Sequence, residues 1–196
     1  MQLQPQRAMK LAEWGALPED ADGELVDGLV VEEELASYLH ETVVAFLVEL
    51  FRAWGREHGA RVAASSARFA VTPSRGRKPD LSVFLEGSAR PPARGLIQVP
   101  PTIAIEVVSA SPADQRRDRV EKLHDYATFG VRFYWLLDPE ARTLEILERG
   151  ADARYVVVAA ASAGKIDPVP GCDALALDLD ALWAELDEVI AEGGTD

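Results

Sequence analysis

The stretch KPDLSVFLEGSARPPARGLIQVPPTIAIEVVSASPADQRRDRVEKLHDYATFG, residues 78–130, decides the fold. It holds two apolar runs and then a helix start, with a carboxylate at a telling place in each run. Asp80 enters the first run directly after Pro79, and Glu106 interrupts the second, Thr102 to Val108, near its end. An apolar strand rarely carries an ionised Glu, because burying an unpaired carboxylate costs several kcal/mol or shifts its pKa until it neutralises. Two such carboxylates at the ends of neighbouring strands are naturally held by a divalent cation with oxygen ligands. Lys122 follows on the helix that leaves the second strand, so Asp80, Glu106 and Lys122 form the candidate site. A plainer reading stands beside it. Asp80 would be left in solvent where its strand begins, and Glu106 would pair with an arginine of the helix, since perturbed carboxylates are also common in structural ion pairs.

Downstream, Ser111-Pro112-Ala113-Asp114 is a helix start: Ser as N-cap, Pro at the first position, an acid in the first turn. The helix is expected to run to Phe129 and stop at Gly130, with Val120, Leu123 and Ala127 facing the core. Asp118 and Lys122 are spaced i, i+4; the plain meaning of that spacing is a surface ion pair. Val131 to Asp138 reads as a strongly apolar strand, Arg142–Arg149 and Arg154–Ala160 as a meander, and Leu182, Trp183, Leu186, Val189 and Ile190 as the stripe of a final helix.

Upstream, Met1–Gln6 reads as a loose terminus and Arg7–Leu17 as a short helix. Glu24–Glu33 is a hairpin, because Asp27-Gly28 is the preferred two-residue type I′ turn. Glu24 opens it as a third carboxylate at a strand edge, facing water in the plain reading. Glu34–His58 is the longest helix, striped by Leu35, Leu39, Val43, Phe46, Leu47, Leu50 and Trp54. His40 lies beside that stripe and, with no second ligand near it in sequence, reads as structural. Ala60–Thr72 should supply one strand bent at Ser65-Ser66, Pro73–Arg77 a polar turn, and Asp80–Leu85 a short buried strand. Glu86–Pro101 is a loop rich in Pro, Gly and Arg, placed to approach a substrate. The central order of helix, three strands, helix, strand gives a mixed α/β sheet with helices on its faces.

At 196 residues the chain suits one domain, expected over residues 7–192. No apolar run approaches the roughly 20 residues of a membrane span, and no signal-peptide core is present. Cys172 is the single cysteine, which excludes an intramolecular disulfide and a multi-cysteine zinc site; a reducing, cytoplasmic setting is expected. The formal net charge of −13 argues against tight non-specific DNA binding. The basic residues are not spread evenly, however. Arg68, Arg75, Arg77 and Lys78 precede Asp80, while Arg116, Arg117, Arg119 and Lys122 follow Glu106, so a locally positive site is expected on an acidic protein.

Pro79-Asp80 and the EVVS of Glu106–Ser109, in that element order, resemble the PD-(D/E)XK nuclease superfamily. More narrowly, GELVDGLV, KPDLSV, IEVVS, DRVEKLHDYATFGV and FYWLLDPEARTLEIL resemble the Uma-type restriction endonuclease family, over about Leu11 to Leu147. The resemblance implies a restriction-endonuclease-like α/β fold: a mixed sheet flanked by helices, with an N-terminal β-hairpin and a C-terminal β-meander plus helix. It also implies a metal-dependent phosphodiesterase. Asp80, Glu106 and a main-chain carbonyl near Val107 would hold Mg²⁺ or Mn²⁺. The superfamily lysine stands two residues after the second carboxylate, where this chain has Val108; Lys122 matches the helix lysine of the Uma-type pattern, and Glu24 would be an accessory carboxylate. Arg116, Arg117 and Arg119 would contact flanking phosphates of DNA, although a solvated helix face is the commoner meaning of such a run. The hairpin and meander offer edges for a homodimer. Two other readings stay open: a catalytically silent interaction module, and a hydrolase of small phosphodiesters.

Overall fold

The two apolar runs that carry Asp80 and Glu106 lie side by side in a six-stranded sheet. The computed structural model describes residues 8–18, 21–32, 36–65 and 67–193. In chain order the elements begin with α1 (Leu11–Gly15), the hairpin β1 (Glu24–Val26) and β2 (Leu29–Val31), and the long α2 (Tyr38–His58). Five strands follow: β3 (Arg61–Ala64), β4 (Phe69–Thr72), β5 (Arg75–Arg77), β6 (Leu81–Phe84) and β7 (Ile103–Val107). A helical rod then runs through α3 (Pro112–Arg116), a π-helical turn (Arg117–Lys122) and α4 (Leu123–Phe129). The chain closes with β8 (Phe133–Asp138), β9 (Thr143–Arg149), β10 (Tyr155–Ala161), the short β11 (Lys165–Ile166) and β12 (Leu177–Asp178), and α5 (Leu179–Gly193).

The large sheet has the order β10-β9-β8-β7-β6-β3. Only β7 and β8 run parallel, joined by the helical rod as a crossover of this kind requires. Alternation along the strands sorts side chains into two layers. Leu81, Val83, Ile103, Ile105 and Trp135 face a layer formed by α2 and α5, through Val43, Leu47, Phe51, Leu182 and Trp183. Phe84, Ala104, Val108, Tyr134 and Leu136 face the opposite layer with Tyr126 of α4 and Phe69 and Val71 of β4. Glu106 belongs by parity to this second face. The register pairs Leu81 with Ile105, so one further step sets Asp80 opposite Glu106 on the same face.

A second, four-stranded sheet of order β2-β1-β5-β4 covers that face and brings Glu24 and Arg77 to it. Trp14 seals its outer side with an indole N–H that donates to the Gly23 carbonyl at 3.3 Å. Arg68 lies over the Trp14 ring and donates to the carbonyls of Leu17, Pro18 and Ala21, which fixes the end of α1.

Three expectations change. The single bent strand Ala60–Thr72 is two strands, β3 and β4, in different sheets. The Pro73–Arg77 turn is shorter than expected and becomes β5, because Arg77 finds buried carboxylate partners and is itself buried. The long helix begins at Tyr38, capped by the Ser37 hydroxyl, which accepts from the His40 N–H at 3.2 Å. Its expected start at Glu34 and the stripe residue Leu35 lie outside the described residues, as does the Met1–Gln6 terminus. Its buried seam is Val43, Val44, Leu47 and Phe51, slightly rotated from the expected stripe because α5 packs along the same helix. The hairpin turn and the glycine stops hold: Asp27 and Gly28 both have positive φ, and Gly59 and Gly130 end their helices in the left-handed region. No described helix is long and apolar enough to cross a membrane.

Gly76 in β5 has no space for a side chain: an added Cβ would lie 2.2 Å from the Trp14 ring. Gly76→Ala is expected to destabilise by about 1–3 kcal/mol through overpacking, with a red shift in tryptophan emission as Trp14 is displaced. Urea unfolding followed by fluorescence checks both; an unchanged midpoint would contradict the seal.

Candidate active site

Asp80 stands where the chain passes from the small sheet into the large one. Its carbonyl accepts from the Ser65 N–H at 2.9 Å, and its Oδ2 accepts from the Val107 N–H at 2.7 Å. His40 Nε2, from α2, lies 3.3 Å from the same oxygen. The Asp80 side chain keeps 20% of its surface exposed. Burial pushes its pKa up, but the His40 hydrogen bond and charge, Lys122 and the Val107 N–H together hold it below the usual carboxylate value. The same contact raises the pKa of His40, against the lowering effect of its burial.

Glu106 is buried, and both of its oxygens are engaged. Oε2 accepts from Lys122 Nζ at 2.9 Å and Oε1 from the Tyr126 hydroxyl at 2.6 Å. Lys122 is also 3.3 Å from Asp118 Oδ1 and 3.5 Å from Glu24 Oε1, so among the described residues one ammonium serves three buried carboxylates. Burial drives the Glu106 pKa well up, with Asp80, Asp118 and Glu24 adding to the rise and Lys122 opposing it. Asp118 is raised too, first by burial. Glu24 goes the other way: Lys122, Arg77 and the Lys78 N–H outweigh its burial.

The local cause of this arrangement is the π-helical turn. Its wider i→i+5 bonding turns Asp118 and Lys122 inward together, and such turns recur at functional sites. It also turns Val120 outward to 60% exposure, so Val120 does not face the core as the regular helical spacing implies. The plain alternative for Asp118 and Lys122, a surface ion pair, does not hold either, since the Lys122 side chain is 2% exposed.

Glu24 does not face water. Its Oε2 accepts from Arg77 at 2.7 Å and its Oε1 from the Lys78 N–H at 2.8 Å, while Arg77 also grips Asp125 at 2.7 Å. These bonds tie β1, β5 and α4 together directly behind the site.

A cleft of about 460 Å³ opens on these groups. Among the described residues its lining carries seven carboxylates (Asp22, Glu41, Asp80, Glu106, Asp114, Asp118 and Glu140) against three cations, Lys78, Arg117 and Lys122. The expected locally positive site is therefore an acidic one. The basic residues that promised otherwise are consumed: Arg75 by Asp27 and Asp125, Arg77 by Glu24 and Asp125, Arg68 by main-chain carbonyls. Of the three helix arginines only Arg117 lines the cleft, where it meets Asp114 at 2.5 Å. Arg116 is exposed and bonded to Glu121; Arg119 is bonded to Asp138 and Glu145.

Asp80, Glu106, Lys122 and Glu24 thus come together, with Val107 beside them. Sequence reasoning missed Tyr126 and undervalued His40. Tyr126 lies four residues after Lys122 on one helical rod, a spacing that could have found it. His40 meets Asp80 across 40 positions, and no local pattern signals that.

The donor set suits a hard divalent cation: carboxylate oxygens in a cleft with surplus negative charge. Asp80 has one oxygen, Oδ1, that meets no protein donor among the described residues. Glu106 can ligate once Lys122 gives up Oε2 to it and keeps Asp118 and Glu24. Among the described residues, no three His, Cys, Asp or Glu side chains already stand as a metal-binding group.

Three comparisons bear on this geometry. A family profile, Uma2, described as "Putative restriction endonuclease", matches residues 10–180. Among solved structures, the chain is similar to a protein from Anabaena variabilis described as a putative nuclease belonging to DUF820. The two share 19% identity over 91% of this chain and 99% of that one, with a TM-score of 0.71. No curated protein matches the chain.

Removing the shared ammonium should be costly. Lys122→Met would leave three buried carboxylates without their common cation, and an expected loss of about 3–5 kcal/mol follows. Urea unfolding at neutral pH measures it; a loss below about 1 kcal/mol would mean that the carboxylates do not depend on Lys122.

Proposed function

The chain belongs to the Uma2 family of restriction-endonuclease-like proteins, and from that premise we propose that its cleft hydrolyses phosphodiester bonds of nucleic acid with the help of a divalent metal. The observation that carries this reading is the pairing of Asp80 and Glu106 on one face of adjacent strands, with Lys122 bonded to Glu106 at 2.9 Å. Asp80, Glu106 and the Val107 carbonyl would hold Mg²⁺ or Mn²⁺; once bound, the ion supplies a water of lowered pKa and positive charge beside the phosphate.

The chain's own residues do the rest. The Val107 N–H and His40 fix the direction of the Asp80 carboxylate, and Tyr126 fixes that of Glu106. Lys122 presents a preorganised charge where negative charge develops in the transition state, and it orients the attacking water. Glu24 holds Lys122 from behind as an accessory carboxylate. Of the three arginines expected to contact flanking phosphates, Arg117 borders the cleft but is paired with Asp114, and Arg116 and Arg119 engage carboxylates away from the cleft lining. DNA is the proposed substrate, acted on by an endodeoxyribonuclease. A homodimer paired along β2 or β10, where Leu29, Val156 and Val157 are exposed, belongs to the same reading, and a monomer mass by light scattering would remove it.

The acidity of the cleft favours one competing substrate class, small phosphodiesters, which carry a single charge into it. The two readings part in one experiment. Wild-type protein with Mg²⁺ or Mn²⁺ is expected to nick supercoiled plasmid, and Asp80→Asn to nick it roughly a hundredfold or more slowly. Asparagine keeps an oxygen for the Val107 N–H, so the fold should persist, while Mn²⁺ binding by calorimetry should weaken. Cleavage of bis(4-nitrophenyl) phosphate without cleavage of plasmid would select the small-substrate reading. Undiminished nicking by Asp80→Asn would exclude this cleft.

A further inference from the structure

Among the described residues, three lysine and arginine cations line the cleft, and two of them are already matched by carboxylates. Lys122 lies among Glu106, Asp118 and Glu24, and Arg117 lies against Asp114 and, at 3.6 Å, Asp118. Lys78 differs. It lines the cleft half-buried, and no carboxylate meets its ammonium among the described residues.

Its main chain, by contrast, is fixed on both sides. The Lys78 N–H donates to Glu24 Oε1 at 2.8 Å, and Arg77 before it is locked by Glu24 and Asp125. Pro79 after it confines Lys78 to extended backbone. Asp80 is then pinned by Ser65 and Val107. Residues two apart in extended backbone project to the same side, so Lys78 shares with Asp80 the side that lines the cleft.

An anion entering a cleft of seven carboxylates is repelled unless it meets a positive charge that is not already spent. Arg117 or Lys122 can offer theirs only by leaving a carboxylate uncompensated. Lys78 can offer its charge without breaking an ion pair to any described residue, and an ammonium binds a phosphate as a point charge with three donors. We propose that Lys78 is the substrate-binding residue that holds a phosphate of the nucleic-acid backbone beside Asp80. This rests on the nuclease reading above and adds to it the group that anchors the polyanion.

The test is binding of fluorescein-labelled duplex DNA and single-stranded RNA 20-mers by anisotropy. It is run in EDTA, so that nothing is cleaved, and across a range of NaCl concentrations. Lys78→Ala is expected to weaken binding regardless of sequence and to reduce the slope of log K against log salt by about one, the signature of a lost phosphate contact. Lys78→Arg should restore both. Arg132→Ala, which removes an exposed arginine paired with Glu148 outside the cleft lining, should leave the slope unchanged. The Lys78 side chain meets no carboxylate among the described residues and its N–H survives in the variant, so the thermal midpoint should not move. An unchanged slope and affinity in Lys78→Ala, with wild type binding and cleaving, would overturn the role of Lys78 and leave the nuclease reading intact. Wild type that neither binds nor cleaves nucleic acid would overturn both.

Discussion

The Lys122 ammonium shared by the buried carboxylates Glu106, Asp118 and Glu24 is the constraint on which the rest of this structure depends. Lys122 comes from the helical rod, Glu106 from the large sheet, Glu24 from the small sheet and Asp118 from the π-helical turn. The ion cluster therefore joins the two sheets and the helical rod at the cleft. Such a cluster is a poor source of net stability, because desolvating the charges offsets much of their attraction. Its value lies in position. Any displacement of the rod by a few ångström would leave carboxylates buried without a cation, a state costly enough to make the observed packing the one that survives.

Arg77 repeats the logic one layer further back. Fully buried, it is held by Glu24 and Asp125, while Glu24 turns its other oxygen to the Lys78 N–H. Glu24 thus connects the two cations, Lys122 in front and Arg77 behind. With Arg77 and Arg75 spent on carboxylates, the basic residues around Asp80 do not make a positive surface. The protein keeps an acidic cleft, which attracts small cations and admits a polyanion only where a charge has been left unmatched.

How much of this could be read from the chain differs from residue to residue. Asp80 and Glu106 were legible because an acid inside an apolar run is costly, and because strand alternation fixes the face it occupies. The Asp27-Gly28 turn and the stops at Gly59 and Gly130 were legible from backbone sterics alone. Regular spacing failed at Val120, since a π-helical turn breaks the period on which the reading relied. It failed also at Arg75–Arg77, where a polar run forms a strand only because distant carboxylates receive its guanidinium groups. His40 had no local signal, as its partner comes from the other side of the sheet's edge. In each case the missing information was a long-range ion pair or a change in helical period, neither of which a window of sequence contains.

The same long-range geometry explains why Val108 need not be a lysine. Val108 shares the face of Glu106, two residues on, and is fully buried with Val131 and Leu136. Val108 also borders the cleft, so its position does not itself forbid a longer side chain; none is needed there because Glu106 already has a cation. The covering layer supplies the cation instead: Lys122 reaches Glu106 from above the sheet, at the turn where the rod departs from regular α-helix. A cation carried by the cover rather than by the strand makes the site dependent on the docking of the rod. Tyr126 reinforces that docking with a hydroxyl on Glu106 Oε1, and Tyr134 with a hydroxyl on the Asp118 carbonyl. The two tyrosines pack edge to face between rod and sheet, so apolar contact and hydrogen bonding act on the same joint. The layer that completes the charge balance is thereby held to the sheet by both kinds of contact.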